Sequence, residues 1–261
     1  MSSDIEFYKN EIKKILTLKN TIMSTTQEVK AVKVGEFTLK KEEKIARLEA
    51  QAGVEIISAS KYNLIIGLVM LCGIVLNVTS VLVASNFFMN FFISYPILFF
   101  ISYFALIFGG SYIANASNKP IVSFLGFSLV ALALGGIMSV VVPLFSLAII
   151  IKAFLLTGIV VFLMLTASQM YPNFFLSLGR TLLFTLILGI IAELVATFIF
   201  GYAGSAFDWI FVILFSLYLG YDFSKAQIYA KTVDNAIDSA LDIYMDVVIL
   251  FMRILSILSK K

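Results

Sequence analysis

Residues 217–225 read Leu-Tyr-Leu-Gly-Tyr-Asp-Phe-Ser-Lys, and residues 241–251 read Leu-Asp-Ile-Tyr-Met-Asp-Val-Val-Ile-Leu-Phe. Asp222 and Asp246 thus each stand inside strongly apolar sequence. An ionised carboxylate in such surroundings is costly unless it has a partner, a proton or a cation. The two aspartates are therefore the first candidates for a functional site, and the runs around them belong to a longer series.

The composition places this series in a membrane. Apolar residues make up 61% of the chain and its mean hydropathy is +1.01, whereas soluble domains have roughly 45–50% apolar residues. Seven apolar runs, each near the ~20 residues that cross a bilayer, follow one another without an alternating strand pattern. They cover residues 62–84, 92–114, 121–142, 145–166, 178–201, 206–223 and 235–258. The sequence predicts an all-α integral membrane protein, with a seven-transmembrane-helix bundle filling residues 62–261.

The last run is unusually acidic. Asp234, Asp238, Asp242 and Asp246 recur every four residues, and a helix facing lipid cannot carry such a stripe. The last segment is therefore predicted either to pack among the other helices or to enter the membrane and turn back. Asp234 and Asp238 are expected to face water at the start of this helix, where negative charge is favourable.

Residues 1–61 differ from the rest, since they hold 11 of the 19 Lys and Arg and 9 of the 16 Asp and Glu. No uncharged apolar region follows the basic residues as in a signal peptide. Helical spacing predicts a charged helical extension. Lys119 lies in the second loop, Arg180 lies beside the fourth, and Lys225 and Lys231 lie in the sixth, whereas the odd-numbered loops hold only Asp208. The positive-inside rule therefore places the even-numbered loops and the N-terminus in the cytoplasm.

Asp222 and Asp246 are predicted to meet. Position 234 lies midway between them in a short polar connection, so a hairpin of the last two runs holds both carboxylates equally far from its turn. Two carboxylates at hydrogen-bonding distance do not both ionise cheaply and are expected to share a proton. The chain has no histidine, which leaves carboxylates as the main candidates for pH sensing.

Two other interpretations of the pair stay open. Carboxylate oxygens select Ca²⁺ or Mg²⁺, but two side chains supply at most four of the roughly 6–8 oxygens that Ca²⁺ prefers. Asp222 and Asp246 would then bind Ca²⁺ weakly, which suits passage better than storage. In the second interpretation the pair is only structural: the two buried carboxyl groups share a proton and hold two helices together.

Four other charged residues are secondary candidates for an ion pathway. The Lys152 side chain either extends so that its ammonium reaches the membrane–water interface, or it takes part in the functional site. For Glu193 three roles stay open: it forms an ion pair with Lys152, it is protonated and forms a hydrogen bond, or it lines a polar path. Asp242 belongs to the acidic stripe. Arg253 lies on roughly the same helix face as Asp246, and it is expected to form a structural ion pair or to contact a lipid headgroup.

Other chemistry has little support in the sequence. Cys72 is the single cysteine, which excludes a disulfide within the chain and a cysteine-based metal site. Nucleotide-binding motifs are absent. The sequence predicts no tightly bound cofactor and no nucleic-acid partner.

Four segments resemble the Bax inhibitor-1 family, also called the transmembrane Bax inhibitor motif family. They are Ala-Phe-Leu-Leu-Thr-Gly-Ile-Val-Val-Phe at 153–162, Ser-Leu-Gly-Arg-Thr at 177–181, the pair Tyr221-Asp222, and Ala-Leu-Asp-Ile-Tyr-Met-Asp-Val-Val-Ile-Leu-Phe at 240–251. The resemblance covers roughly residues 62–258. The charged N-terminal extension lies outside it.

The resemblance implies a seven-helix bundle with a central last helix. It also implies a pH-sensitive calcium leak, with Ca²⁺ as the transported ion and Asp222 and Asp246 as the sensor. In such relatives a basic residue of the second helix pairs with the two aspartates and helps to close the path. Residues 92–114 contain no charge, so Lys152 or Lys225 would have to replace that residue.

Two functions other than a leak are compatible with parts of the sequence. A membrane Tyr-Asp followed by a second Asp is similar to intramembrane aspartyl proteases, but those carry Gly-x-Gly-Asp where this chain has Ile243-Tyr244-Met245-Asp246. The sequence therefore does not favour an enzyme. The second alternative is a non-conducting regulator that binds a membrane protease or a cell-death or stress partner. Heavy use of Phe, Ile, Lys and Asn favours a bacterial inner-membrane protein.

Overall fold

The computed structural model describes Arg47 and residues 55–201 and 205–260. Within those ranges the regular structure is helical, which confirms the all-α prediction. The α-helices there are α1 Ala59–Val83, α2 Ser85–Ser94, α3 Pro96–Asn115, α4 Pro120–Val141, α5 Leu147–Met170, α6 Pro172–Phe200, α7 Ser205–Ile228 and α8 Val233–Ser259. A short 3₁₀ helix, Val142–Leu144, follows α4. The helices predicted for residues 1–54 lie outside the described residues, apart from Arg47.

The predicted count of seven helices is not confirmed. Eight are present in the described ranges, of which six are long and apolar enough to cross a membrane: α1, α3, α4 with its 3₁₀ extension, α5, α6 and α7. The sequence did not predict α2, whose ten residues span only about 15 Å. The helix stops at Tyr95, and Pro96 starts α3 because proline suits the first turn of a helix.

The last helix lies in the interior. α8 packs against α7, α1, α5 and α4, and it runs unbroken through 27 residues, about 40 Å. The alternative in which this segment turns back is therefore wrong, and packing among the other helices is confirmed. Charge explains why α8 is not among the six apolar helices although it is long enough to cross.

The first two aspartates of α8 do not face water. Asp234 is 6% exposed and Asp238 is 3% exposed, so this expectation is wrong. Asp234 accepts a hydrogen bond of 2.6 Å from the Ser123 hydroxyl of α4. A buried polar partner thus replaces the water that sequence reasoning assumed. The start of α8 is also capped, because the Thr232 side chain accepts from the backbone N–H of Asn235.

The start of α1 is tied to the α7–α8 connection. The Ile57 backbone N–H donates to the Lys231 carbonyl at 2.8 Å, and the hydroxyl groups of Tyr62 and Ser239 are 2.9 Å apart. Nζ of Lys231 lies 4.3 Å from the centre of the Tyr62 ring, and burial lowers the pKa of this lysine. These contacts place both segments at one end of the bundle.

Helices α5 and α6 present apolar side chains outward. Phe154 and Leu156 of α5 are 58% and 43% exposed, and Leu188 and Phe198 of α6 are 65% and 81% exposed. Such surfaces suit lipid and not water. The apolar exterior and the acidic interior helix together describe a multi-pass membrane protein.

Glycines allow α3 and α4 to approach closely. A Cβ on Gly110 would lie 2.7 Å from the carbonyl oxygen of Gly126, and a Cβ on Gly126 would lie 2.5 Å from the backbone nitrogen of Ala114. Backbone atoms cannot move aside as a flexible side chain can. Close packing through small residues is typical of membrane helices.

Gly110→Ala should therefore destabilise the protein, whereas Gly109→Ala should not. The neighbouring Gly109 is the matched control because an added Cβ would meet no described atom within 4 Å. Overpacking of this kind costs about 1–3 kcal/mol. Thermal unfolding of both variants in detergent measures the difference, and equal unfolding temperatures would contradict the close approach of α3 and α4.

Candidate functional site

Asp222 of α7 and Asp246 of α8 lie at the interface of these two helices. They are 8% and 6% exposed, and the two carboxyl groups are close enough to act on each other electrostatically. Ionised carboxylates have no hydrogen to donate. In the described part of the chain, Oδ2 of Asp246 meets no hydrogen-bond donor. A single proton shared by the two groups would supply the missing hydrogen bond.

A lysine on α7 neutralises part of this charge. Nζ of Lys225 is 2.6 Å from Oδ1 of Asp222 and 3.0 Å from Oδ2 of Asp242 on α8, so the ammonium bridges the two helices. Its side chain is only 18% exposed. We call Asp222, Lys225, Asp242 and Asp246 the dyad cluster. Its three carboxyl groups outnumber its one ammonium group.

The sequence had placed Lys225 in a loop, after a run that ends at residue 223. Helix α7 continues to Ile228, so Lys225 stands one helical turn after Asp222, on the same side of the helix. Of Lys152 and Lys225, the two lysines that could replace a basic residue on the second helix, Lys225 is the one that reaches the aspartates. Lys152 is exposed on α5.

Helix α6 supports the turn that carries Asp222. A Cβ on Gly179 would lie 2.6 Å from the ring of Tyr221, so the ring packs against α6 only because this residue is glycine. The same ring lies 5.4 Å from Nζ of Lys225, within cation–π range. The Ser-Leu-Gly-Arg-Thr segment and the Tyr-Asp pair, distant in sequence, therefore contact each other.

A second group of charges lies near the far end of α8. Arg253 donates from both terminal nitrogens to Glu193 of α6, at 2.6 and 2.8 Å, and its Nη1 is 3.1 Å from Oδ1 of Asp208. The Lys260 ammonium and the Ser256 hydroxyl donate to Oδ2 of Asp208 at 2.9 and 2.8 Å. We call Glu193, Asp208, Arg253 and Lys260 the arginine cluster. Two acids here balance two bases.

The secondary candidates thus divide between two places. Asp242 belongs to the dyad cluster, whereas Glu193 and Arg253 belong to the arginine cluster. Because Glu193 pairs with Arg253, the alternative in which it pairs with Lys152 is wrong.

Sequence reasoning missed Asp208. It was expected in a loop, yet it lies in the first turn of α7 and is 5% exposed. The available signal was Arg253, a base inside an apolar run that needs an acid at the same end of the bundle.

The oxygen atoms of the dyad cluster do not form a ready-made metal site. Among the described residues, no group of three or more His, Cys, Asp or Glu side chains is arranged to hold a metal ion. Asp222 and Asp246 alone supply two carboxylates, and the nearby ammonium occupies part of the space around Asp222.

The fold and this buried carboxyl pair define a helical, multi-pass membrane protein with a charged helix in its interior. A family model described as Inhibitor of apoptosis-promoting Bax1 matches residues 60–261. The chain belongs to this family, the Bax inhibitor-1 family, as the four sequence segments had indicated. No curated protein and no solved structure matches it.

Replacing Lys225 by Met should destabilise the protein. Removing one partner of a buried ion pair costs about 3–5 kcal/mol, and because Lys225 is partly exposed we expect about 1–3 kcal/mol here. The measurement is thermal unfolding in detergent, with Lys152→Met as the control for losing an exposed lysine. The double variant Lys225→Met/Asp242→Asn should recover part of the loss. An unchanged unfolding temperature in Lys225→Met would refute the bridging role.

Proposed function

We propose that this protein is a passive, pH-sensitive calcium leak in which Asp222 and Asp246 form the proton sensor. The observation that carries the proposal is the pairing of two buried carboxyl groups across the α7–α8 interface. Family membership supports it, since the resemblance implies this activity and this pair.

The sensor acts through the number of protons on the pair. With one shared proton, a hydrogen bond joins α7 to α8. When the proton count changes, this bond is lost, because two carboxylates repel each other and two neutral acids no longer share a charge-assisted bond. The helices then separate. The chain has no histidine, so carboxyl groups carry the response between pH 5 and 8.

Lys225 holds the closed state together with the shared proton. Its ammonium contacts Asp222 on α7 and Asp242 on α8, so separating the helices must break at least the contact to Asp242. Calcium then moves down its gradient past Asp222 and Asp246, which bind it weakly. No energy source is required.

The proposal also places the protein in a bacterial inner membrane with its N-terminus in the cytoplasm. The end of the bundle where α1 begins, which also holds the α7–α8 connection, is then the cytoplasmic end. Calcium, protons and the bilayer are its partners. Regulation of a membrane protein partner without conduction is the alternative outcome of the test below.

Calcium flux into liposomes that contain the purified protein, measured from pH 5 to 8, tests the proposal. We expect flux that varies with pH in the parent and loses this variation in Asp222→Asn and in Asp246→Asn, because an amide cannot take up or release the proton. Asp234→Asn is the matched control on α8, since its amide oxygen still accepts from Ser123.

Two results would contradict the proposal. Flux no greater than in empty liposomes at every pH would exclude a leak and favour the regulatory alternative. A normal pH response in both variants would keep the leak but reject the pair as its sensor.

A further inference from the structure

The arginine cluster joins three helices at a distance from the dyad cluster. Arg253 lies seven residues after Asp246, about 10.5 Å further along α8. Its guanidinium binds Glu193 of α6 and Asp208 of α7, and Lys260 at the end of α8 binds Asp208 again. This end of α8 is therefore held to both neighbours by ion pairs.

The contacts of Arg253 fix the orientation of its guanidinium group. The guanidinium and the Glu193 carboxylate form two parallel hydrogen bonds. Such a bidentate ion pair is stronger and more specific in its geometry than a single hydrogen bond. The same guanidinium lies 4.3 Å from the centre of the Phe211 ring on α7. Asp208, at the centre of the cluster, accepts from three side chains and is 5% exposed.

The two clusters differ in charge. The dyad cluster has three carboxyl groups and one ammonium group, so it has room for a proton or a cation. In the arginine cluster, Glu193 and Asp208 balance Arg253 and Lys260. A balanced set of ion pairs gains little from binding either a proton or a cation, and it is suited to hold helices together.

Apolar side chains separate the two clusters. Phe211 and Leu214 of α7 pack with Leu250 and Phe251 of α8 in one buried cluster, and Leu250 has no exposed surface. An ion moving along the α7–α8 interface must pass the dyad cluster, this apolar layer and the arginine cluster. Both clusters thus hold the same α7–α8 interface closed, and separation at the dyad cluster must work against the ion pairs at the far end.

We propose that the arginine cluster is a second ion-pair lock, which closes the α6–α7–α8 interface at the end opposite the dyad cluster. The inference extends the proposed leak by adding a closure that does not sense pH. Its removal should raise the leak at every pH and leave the pH response in place. Removal of a dyad aspartate should instead abolish the pH response.

The first experiment is calcium flux from pH 5 to 8 in Arg253→Met and in the milder Glu193→Gln, which keeps the contact between Arg253 and Asp208. We expect the lowest flux in the pH series to rise at least threefold in both variants, with the ratio of highest to lowest flux still above one. Lys152→Met, an exposed lysine on α5, is the control. Unchanged flux in both variants would overturn the lock.

The second experiment does not depend on the leak. Leu250→Cys in a Cys72→Ala background reports access to the apolar layer through labelling by a membrane-impermeant maleimide. Arg253→Met should speed this labelling at least threefold, and Lys152→Met should not. Ile254→Cys, 7% exposed in the parent, serves if Leu250→Cys does not fold.

The two experiments separate the two hypotheses. Faster labelling without calcium flux in any variant would support the lock and reject the leak. Labelling that stays as slow as in the parent would overturn the lock, even if the parent conducts calcium.

Discussion

The structure depends on keeping one acidic helix away from lipid. α8 carries Asp234, Asp238, Asp242 and Asp246 within a helix long enough to cross a bilayer, and none of these charges is tolerable on a lipid-facing surface. The neighbouring helices therefore enclose α8 and present their own apolar side chains outward. Each acid needs an internal partner, and the fold provides these from different helices, such as Ser123 from α4 and Lys225 from α7. The polar interior is thus a consequence of where α8 must lie.

A four-residue spacing explains why the partners come from different helices. Successive positions four residues apart advance about 6 Å along a helix and rotate about 40° around it. From Asp234 to Asp246 the acidic stripe consequently turns by about 120°. Asp234 accordingly meets α4, whereas Asp242 and Asp246 meet α7. Arg253 returns to nearly the same face as Asp246 and again meets α7, at its first turn.

The sequence predicted features that depend on one helix or on bilayer length, and it failed where tertiary partners decide. The all-α membrane class and one of the two alternatives for the last helix, packing among the others, follow from hydropathy and charge spacing, whereas the count of seven helices does not hold. The burial of Asp234 was missed because its partner, Ser123, is a small polar residue with no distinctive pattern around it. Helix α2 was missed because Phe-rich residues 85–94 continue the apolar sequence on both sides, and only short breaks at Ala84 and Tyr95 separate the three helices. The partners of Glu193 required knowledge of which helices are neighbours, which hydropathy does not provide.

The position of Lys225 bears on the free-energy cost of the opening that we propose. A basic residue on the second helix would lose its contact with the aspartates when the helices move apart, leaving every carboxylate uncompensated. Lys225 shares α7 with Asp222, three residues away, and the two therefore move as one unit. Separation of α7 from α8 breaks the contact with Asp242 but keeps the contact with Asp222. In the open interface that we propose, Asp222 would keep its ammonium partner, while Asp242 would lose its own. In the proposed leak, this arrangement would lower the cost of opening on the α7 side and would leave the Asp242 carboxylate of α8 free to attract a cation.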